Sequence, residues 1–490
     1  MASTSIDKDV PSLCPICLRA VDARIFQENG AVMIRKNCPD HGEFQDVYWS
    51  DVRLYEKFEK YREDGEGLEN PYTAGMSCPM DCGICSRHLT GTLLAIIDLT
   101  NRCNLNCPIC FADSKNSGRL YEPSVQQIGE MMQNLRSERS NPCPAVQFSG
   151  GEPTLREDLA QIISMAREMG FSQIQLATNG LMLASSLDLC QNLRKAGLNT
   201  VYMQFDGLTD ETYQAARGRS MVQIKLKAIE NSRRAGMKSI VLVPTVIRGV
   251  NDGQLGDIVR FAAQNLDVVR GVNLQPISFS GRIEQSERLS RRITIPDVLK
   301  LLEEQTFGQI TAMDFFPIPF VAPITRFIEA VRGAQEPSFT VHPCCGAATY
   351  LFSNNGRLMP ITRFIDVEGL LRQIRQEVTE FKGSSLSRIR MQAMLLKELP
   401  RFIEDDQSPD DLKPARMLMK VLRDGTKDSL REFHNRTLFL GIMHFQDLYN
   451  IDLERVQRCG IHYATPDGRI IPFCSYNVLH RQAVEARFSS

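Results

Sequence analysis

Thr100-Asn-Arg-Cys103-Asn-Leu-Asn-Cys107-Pro-Ile-Cys110 decides the reading of this chain. Its three cysteines are spaced C-x-x-x-C-x-x-C and follow directly on an apolar, strand-like run, Leu93–Thr100 (LLAIIDLT). Thiolates are the usual ligands of iron–sulfur clusters, normally four per cubane. Three at this spacing fit three corners of a [4Fe–4S] cube and leave one iron open, as catalytic metal sites keep one position free. Taken alone, the triplet also admits a structural cluster completed by a distant fourth cysteine.

Working outward, strand-like and helical runs alternate. Val146–Ser149, Gln173–Thr178, Val201–Phe205, Ser239–Val246 and Gly271–Ile277 read as five more strands. Helical patterns lie between them near Ser124–Arg136, Arg156–Met169, Ser185–Ala196, Ile224–Ala235 and Gln254–Gln264. Six strands separated by helices indicate βα units and a parallel sheet. Right-handed crossovers let such a sheet curl into a full or partial barrel, with its active site at the C-terminal strand ends.

The polar motifs fall at those ends. Gly150-Gly151-Glu152-Pro153 follows the second strand, Asn179-Gly180 the third and Asp206-Gly207 the fourth; Gln275 lies near the end of the sixth. Two adjacent glycines let a backbone approach a ligand closely, and a carboxylate can accept from an ammonium group. Each motif alone reads equally as a turn; their order along successive strands is what carries weight. With this order the chain resembles the radical S-adenosylmethionine (SAM) superfamily over about residues 90–285. The resemblance implies an α/β fold built on a partial (β/α)6 barrel, in which SAM chelates the open iron of a [4Fe–4S] cluster held by Cys103, Cys107 and Cys110. Gly150, Gly151 and Glu152 would contact the SAM amino group, with Pro153, Asn179, Asp206 and Gln275 on the same cofactor-binding rim. Reductive cleavage would give methionine and a 5′-deoxyadenosyl radical that abstracts hydrogen from substrate. One departure is Ile109, at a position often aromatic in the superfamily; Phe111 stands just after the third cysteine.

Fifteen cysteines grouped in C-x-x-C and C-x-x-x-C-x-x-C runs read as metal ligands rather than disulfides. Cys78-Pro-Met-Asp-Cys82-Gly-Ile-Cys85 repeats the triplet spacing ahead of the first barrel strand, without a Gly-Gly-Glu at the right distance. It is assigned to an auxiliary cluster. Cys14-x-x-Cys17 with Cys38-x-x-His41 has mononuclear Zn or Fe spacing, although His41 reads equally as a turn residue before Gly42. Cys345, Cys459 and Cys474 are read as part of a second auxiliary cluster, the turn at Thr465–Gly468 bringing the last two together. Cys344 is a candidate fourth ligand for either auxiliary cluster. Cys143 and Cys190 are read as packing residues. One or two auxiliary [4Fe–4S] clusters are expected; with two, the open cluster, both cubes and a mononuclear site would accept fifteen protein ligands against the thirteen cysteines of these groups, so non-cysteine ligands or an open iron are expected.

With 490 residues, three regions are expected: an N-terminal metal-binding region (1–90), the barrel (91–290) and a helical C-terminal domain carrying auxiliary-cluster cysteines (291–490). Helical stretches are expected near Asp51–Glu63, Ser384–Leu399 and Asp428–Tyr449. The net charge of −1 gives no reason to expect a nucleic-acid partner. The N-terminus carries no basic region followed by an apolar run, so no signal peptide is expected, and the expected location is cytoplasmic.

Beyond the barrel, the chain resembles the tetraether lipid synthases, a subfamily formerly regarded as dihydropterin methyltransferases. The matching stretches are Cys14–Cys17, Cys38–Gly42, Cys78–Cys85, Asn273–Arg282, Asp314–Pro319, Cys345-Gly346, Pro360–Arg363 and Cys459 through Asn477. This implies three [4Fe–4S] clusters, a rubredoxin-like iron and radical coupling of two unactivated alkyl chain ends. A methyl C–H offers no acidic proton and no electrophile, so hydrogen abstraction is the chemistry that suits it. Phe315–Ile324 (FFPIPFVAPI) is read either as lining for a lipid tail or as a Pro-rich loop over the barrel floor. Expected partners are SAM, a lipid or small-molecule substrate and a reductant such as ferredoxin or flavodoxin, with peripheral membrane contact left open. The alternative readings are radical methylation of a pterin or other small molecule, another radical modification, and a non-enzymatic electron carrier, which would need no SAM pocket.

Overall fold

The computed structural model describes residues 6–73, 77–113, 118–139, 141–283, 286–354, 356–381, 383–404, 433 and 436–489. It opens with a four-stranded antiparallel sheet in sequential order: β1 (Asp7–Leu13), β2 (Ala20–Glu28), β3 (Ala31–Cys38) and β4 (Gly42–Trp49). Asn29-Gly30 joins β2 to β3 with both residues at positive φ, the backbone a tight hairpin demands. Val32, Ile34 and Lys36 alternate inward along β3. A short helix, Val52–Glu59, follows; the Asp51 side chain caps it by accepting from the Leu54 N–H, and Tyr55 and Phe58 are buried.

The six expected barrel strands form: β5 (Leu94–Thr100), β6 (Ala145–Gly150), β7 (Gln173–Thr178), β8 (Thr200–Gln204), β9 (Ile240–Val243) and β11 (Val269–Pro276). They pair in parallel in that order. The run read as one strand over Ser239–Val246 is split at Pro244, which has no N–H for the ladder; its end becomes β10 (Thr245–Val246), paired with β11. In β7, Ile174 and Leu176 are buried, while Gln173, Gln175 and Ala177 line the interior. Helices cover the outside. Val125–Arg136, for example, buries Ile128, Met131, Met132 and Leu135 and starts at a Ser124–Gln127 capping box.

Beyond residue 291 the chain returns to this sheet. Its strands are β12 (Phe316–Pro317), β13 (Gly346–Asn354), β14 (Arg357–Pro360), β15 (Leu438–Met443), β16 (Ile461–Ala464) and β17 (Ile470–Pro472). β15 runs parallel beside β11, and β16 parallel beside β5. Eight parallel strands therefore flank the interior, with β13 antiparallel outside β15 and β17 antiparallel outside β16. Stacked rings of Phe445 and Phe473, 3.9 Å apart, bridge the two ends of the sheet.

Here the expectation of helix over Asp428–Tyr449 fails, because Leu438–Met443 (LFLGIM) is a strand. A short apolar run buried on both faces of a parallel sheet has no periodicity to separate it from a buried helix. The earlier part of that span, 428–432 with 434–435, lies outside the described residues. Helices do form at Ile295–Gln305, Ala322–Arg332, Val367–Thr379 and Ser385–Glu398. The Phe315–Ile324 segment lies along β13 near the C-terminal end of β15 rather than over the floor. Phe316 and Phe320 stack at 4.0 Å within it, and Ile318 alone of the segment reaches the cavity described below. Among the described residues, no helix is long and apolar enough to cross a membrane.

Candidate active site

The loop carrying Cys103, Cys107 and Cys110 leaves the C-terminal end of β5 and is clamped by its neighbours. Gly151 N–H donates to Thr100 O (2.7 Å) and Glu152 N–H to Arg102 O (2.8 Å). A Cβ on Gly150 would lie 2.2 Å from Thr100 O, and one on Gly151 2.2 Å from Arg102 O. The two glycines thus admit the backbone of the cysteine loop itself. Arg282 clamps the other side. Its backbone bonds Cys110 in both directions (2.9 and 3.2 Å), and its guanidinium reaches Cys107 O (3.3 Å), Asn106 Oδ1 (2.7 Å) and Asp113 (2.8 Å).

The Glu152 side chain is fully buried and spent inside the protein. Its Oε1 accepts from Thr154 N–H and from the Thr154 and Thr178 hydroxyls, and its Oε2 from Asn179 N–H (2.8 Å). Burial raises its pKa against these donors. Glu152 therefore ties β6 to the end of β7. Asp206, expected on the cofactor rim, is likewise internal: both oxygens bind Arg217 (2.7 and 2.8 Å), and Oδ1 also accepts from Thr245 N–H. Asn179 Nδ2 donates to Asn104 Oδ1 (2.7 Å), and Gln275 Nε2 donates to the Tyr202 hydroxyl (2.9 Å). Pro153 is buried at the start of the turn after β6.

Arg217, Arg282 and Tyr202 escaped the sequence reading. Arg217 Nη1 donates to Ile109 O (2.8 Å), placing a buried cation under the loop. Burial pushes the Cys103 thiol up to about 11. Burial also raises Cys107, with the Arg217 charge working against it. The only hint of Arg217 in the sequence is an Arg-Gly pair closing the helix Asp210–Arg217.

The triplet opens onto a cavity of about 1350 Å³ that runs the length of the barrel. Gly150, Gly151, Asn179 and Gln275 line it at the top, while Ser172, Asn199 and Lys238, all exposed, line it at the N-terminal strand ends. One wall is polar (Gln147, Gln175, Tyr202, Gln204, Asn273), and the other is apolar (Ile96, Phe439, Met443, Phe445, Ile461). Much of the polar wall is already bonded within the protein: Asn273 and Gln275 donate to the Tyr202 hydroxyl, and Gln204 is held by Lys225 and Asp206 behind the wall. Among the described residues Gln147 Oε1 has no hydrogen-bond partner.

In the N-terminal sheet, Cys14, Cys17, Cys38 and His41 bring one ligand atom each to within 4.8 Å of one another. Cys14 is held down to about 7; burial opposes this, and the backbone N–H groups of Cys17 and Ile16 together with the Cys17 and Cys38 thiols overcome it.

Residues 97–262 match the Radical SAM superfamily, and residues 6–50 match the HMPTM N-terminal zinc ribbon domain. Over 487 residues the chain is 49% identical to the 7,8-dihydro-6-hydroxymethylpterin dimethyltransferase of Methanocaldococcus jannaschii, covering 99% of this chain and 96% of that protein. The chain belongs to the radical SAM superfamily. Within it, the chain falls full length in the family of that archaeal protein. It is also 26% identical over 257 residues to a GTP 3′,8-cyclase of Clostridium acetobutylicum, covering 51% of this chain and 79% of the cyclase. Among solved structures, Streptococcus suis SuiB bound to S-adenosylmethionine aligns at a TM-score of 0.36 and 18% identity, over 45% of this chain and 48% of SuiB. Membership makes this a radical SAM enzyme, which uses a [4Fe–4S] cluster and SAM.

Two further cysteine groups of this radical SAM chain lie at the seam where the end of β15 meets the start of β16. Cys82, with its pKa pushed up to about 12 by burial, lies 3.4 Å from the Ser475 hydroxyl, next to Cys474; the charges of Cys78 and Cys85 act on it too. Cys345, Cys459 and Cys474 interact electrostatically as a second group. Cys344 departs from expectation. Its side chain joins Glu59 and His342 rather than that group, since adjacent residues on the turn Pro343–Cys345 face different sides. His444 was missed. It follows β15 directly, donates its backbone N–H to Cys345 O (3.1 Å), and is buried with neither ring nitrogen hydrogen-bonded among the described residues. Cys143 and Cys190 are fully buried.

Proposed function

We propose that Cys103, Cys107 and Cys110 hold the catalytic cluster and that the enzyme acts on unactivated C–H groups of long alkyl chains, joining two chains by a C–C bond. The observation that carries this reading is the barrel-length cavity. Its volume of about 1350 Å³ takes in the room for the cluster and SAM at the triplet, and its apolar wall continues beyond them along the barrel, from Phe439 and Ile461 at strand starts to Met443 and Phe445 at the end of β15. A polar wall already bonded within the protein asks little of a ligand, so an apolar chain strands few unmet polar groups beside it.

The donor set suits an open cluster: three part-buried thiols on one clamped loop at the cavity mouth, above the Arg217 cation. When bound, the cluster and SAM supply one-electron hydrogen abstraction, which needs no acidic proton. The chain's own residues do the rest. Arg217 and Arg282 fix the loop, the two glycines set its distance from β6, and Asn179 and Gln275 present polar groups at the rim. The aromatic seam of Phe445 and Phe473 helps close the barrel side wall. Cys78, Cys82 and Cys85 would hold one auxiliary cluster, and Cys345, Cys459 and Cys474 a second. Cys14, Cys17, Cys38 and His41 would hold a mononuclear Zn or Fe. A small reductant of the ferredoxin or flavodoxin kind would supply electrons.

Methylation of a pterin is the second reading. The name of the archaeal relative favours it, as does the unpaired Gln147 Oε1 on the polar wall, which could accept from a heterocycle N–H. Anaerobic expression beside the Cys107→Ala variant, with mass spectrometry of extracted lipids, tests the choice. New species lighter by two hydrogens per join and absent from the variant are expected. Unchanged lipids together with a methylated pterin would overturn chain coupling.

A further inference from the structure

The cavity has a second mouth, and its chemistry differs from that of the first. At the floor it is lined by Arg194, Lys238 and Arg270. Arg194 sits in the last turn of the helix Leu187–Ala196, Lys238 just ahead of β9, and Arg270 near the start of β11. Arg194 Nε is bonded to Gly236 O (3.4 Å) and Arg270 Nε to Lys238 O (3.1 Å), so both guanidinium groups are anchored at the rim. Asp267, whose charge also acts on Arg270, is engaged by Arg233 at 2.5 Å. Three cations on one opening of a chain whose net charge is −1 are a local feature, not a consequence of a basic protein. The N-terminal face of a barrel ordinarily serves stability, so a solvent-open, cationic mouth there asks for another use.

We propose that the floor mouth binds the anionic end of an amphiphilic substrate, a phosphate-type headgroup, while its alkyl chain runs up through the barrel to Cys103, Cys107 and Cys110. This rests on the alkyl-chain reading and deepens it. The geometry suits the chemistry. From Gln173 at the floor to Thr178 at the top is five residue steps, about 17 Å at the rise of a strand, a path on the scale of an extended acyl chain. Arginine forks pair well with phosphate oxygens, and an anion at the rim keeps its hydration on the solvent side. Entry from the floor also leaves the top of the barrel to SAM and to a second chain end.

The test uses reconstituted holoenzyme and its Arg194→Glu/Lys238→Glu variant, with iron content and Tm confirming that both are folded. Dodecyl phosphate (below its micelle concentration), dodecanol and inorganic phosphate are titrated by calorimetry. The expected result is that dodecyl phosphate binds wild type at least about tenfold tighter than the variant, a 1.4 kcal/mol difference. Dodecanol should bind both proteins alike, and inorganic phosphate should bind wild type far more weakly than dodecyl phosphate does. Equal binding of dodecyl phosphate to the two proteins would overturn the floor proposal while leaving the alkyl-chain reading intact. Inorganic phosphate binding as tightly as dodecyl phosphate would overturn it in favour of a simple anion site. Binding of neither dodecyl compound to wild type would overturn both readings.

Discussion

The N-terminal cysteine group and the barrel-top triplet use the same ligand chemistry in opposite ways. Cys14, Cys17, Cys38 and His41 present four donor atoms within 4.8 Å of one another, on turns of a small antiparallel sheet. That is a closed set, suited to one ion and leaving it no vacant position. Cys103, Cys107 and Cys110 offer three donors on one loop at the mouth of a large cavity. The shell around them is rigid: two glycines against backbone, and two arginines bonded to loop carbonyls. A structural site spends its rigidity on the ligands, whereas an open site spends it on the loop that carries them.

That contrast can be broken at either end. Cys107→Ala should drop reductive SAM cleavage to background while leaving metal at the N-terminal site; loss of both would mean that the two regions are not independent. Arg217→Met removes one partner of a buried ion pair with Asp206, so a loss of about 3–5 kcal/mol in unfolding free energy is expected, with reduced iron at the triplet. An unchanged Tm and iron content would show that the loop does not depend on this cation. Gly151→Ala forces a Cβ against Arg102 O and should cost about 1–3 kcal/mol. Cleavage should fall more than stability does, since the displaced atoms belong to the cysteine loop.

His41→Ala acts on the other region. It should weaken N-terminal metal retention by about tenfold or more in a chelator competition without altering SAM cleavage; an unaltered affinity would return His41 to the role of a turn residue. The smallest effect concerns neither site. Burial pushes the Glu138 carboxyl, bonded to the Thr92 hydroxyl, up to about 7. The folded state then binds its proton where the unfolded state has released it. Its contribution to stability is therefore present below about pH 4.5 and lost as pH rises through about 7. Glu138→Gln should flatten the Tm profile across that window and leave both metal groups unchanged.

The barrel was legible because its six strands each lie next to a helix with an apolar face, and because the motifs recur at strand ends. β15 and β16 were not legible. Their partners β11 and β5 lie more than 150 residues away, and LFLGIM carries no period of its own. The spacing of the cysteine motifs is legible, yet which way each side chain turns is set by local backbone. Hence Cys344 parts from Cys345, and Glu152 and Asp206 spend their charges on Asn179 N–H and Arg217 rather than on the cavity. Arg217 and His444 are single residues without a spaced partner, and only the fold brings them to a cluster loop or a buried cysteine.

Deuterium transfer tests the central claim most directly. Holoenzyme is given reductant, SAM and a phospholipid with perdeuterated acyl chains, and the 5′-deoxyadenosine formed is analysed by mass spectrometry. Hydrogen abstraction from an alkyl chain predicts deuterium in that product, and none in the Cys107→Ala control. Unlabelled 5′-deoxyadenosine from the lipid reaction, with label appearing instead when a deuterated dihydropterin is supplied, would contradict it.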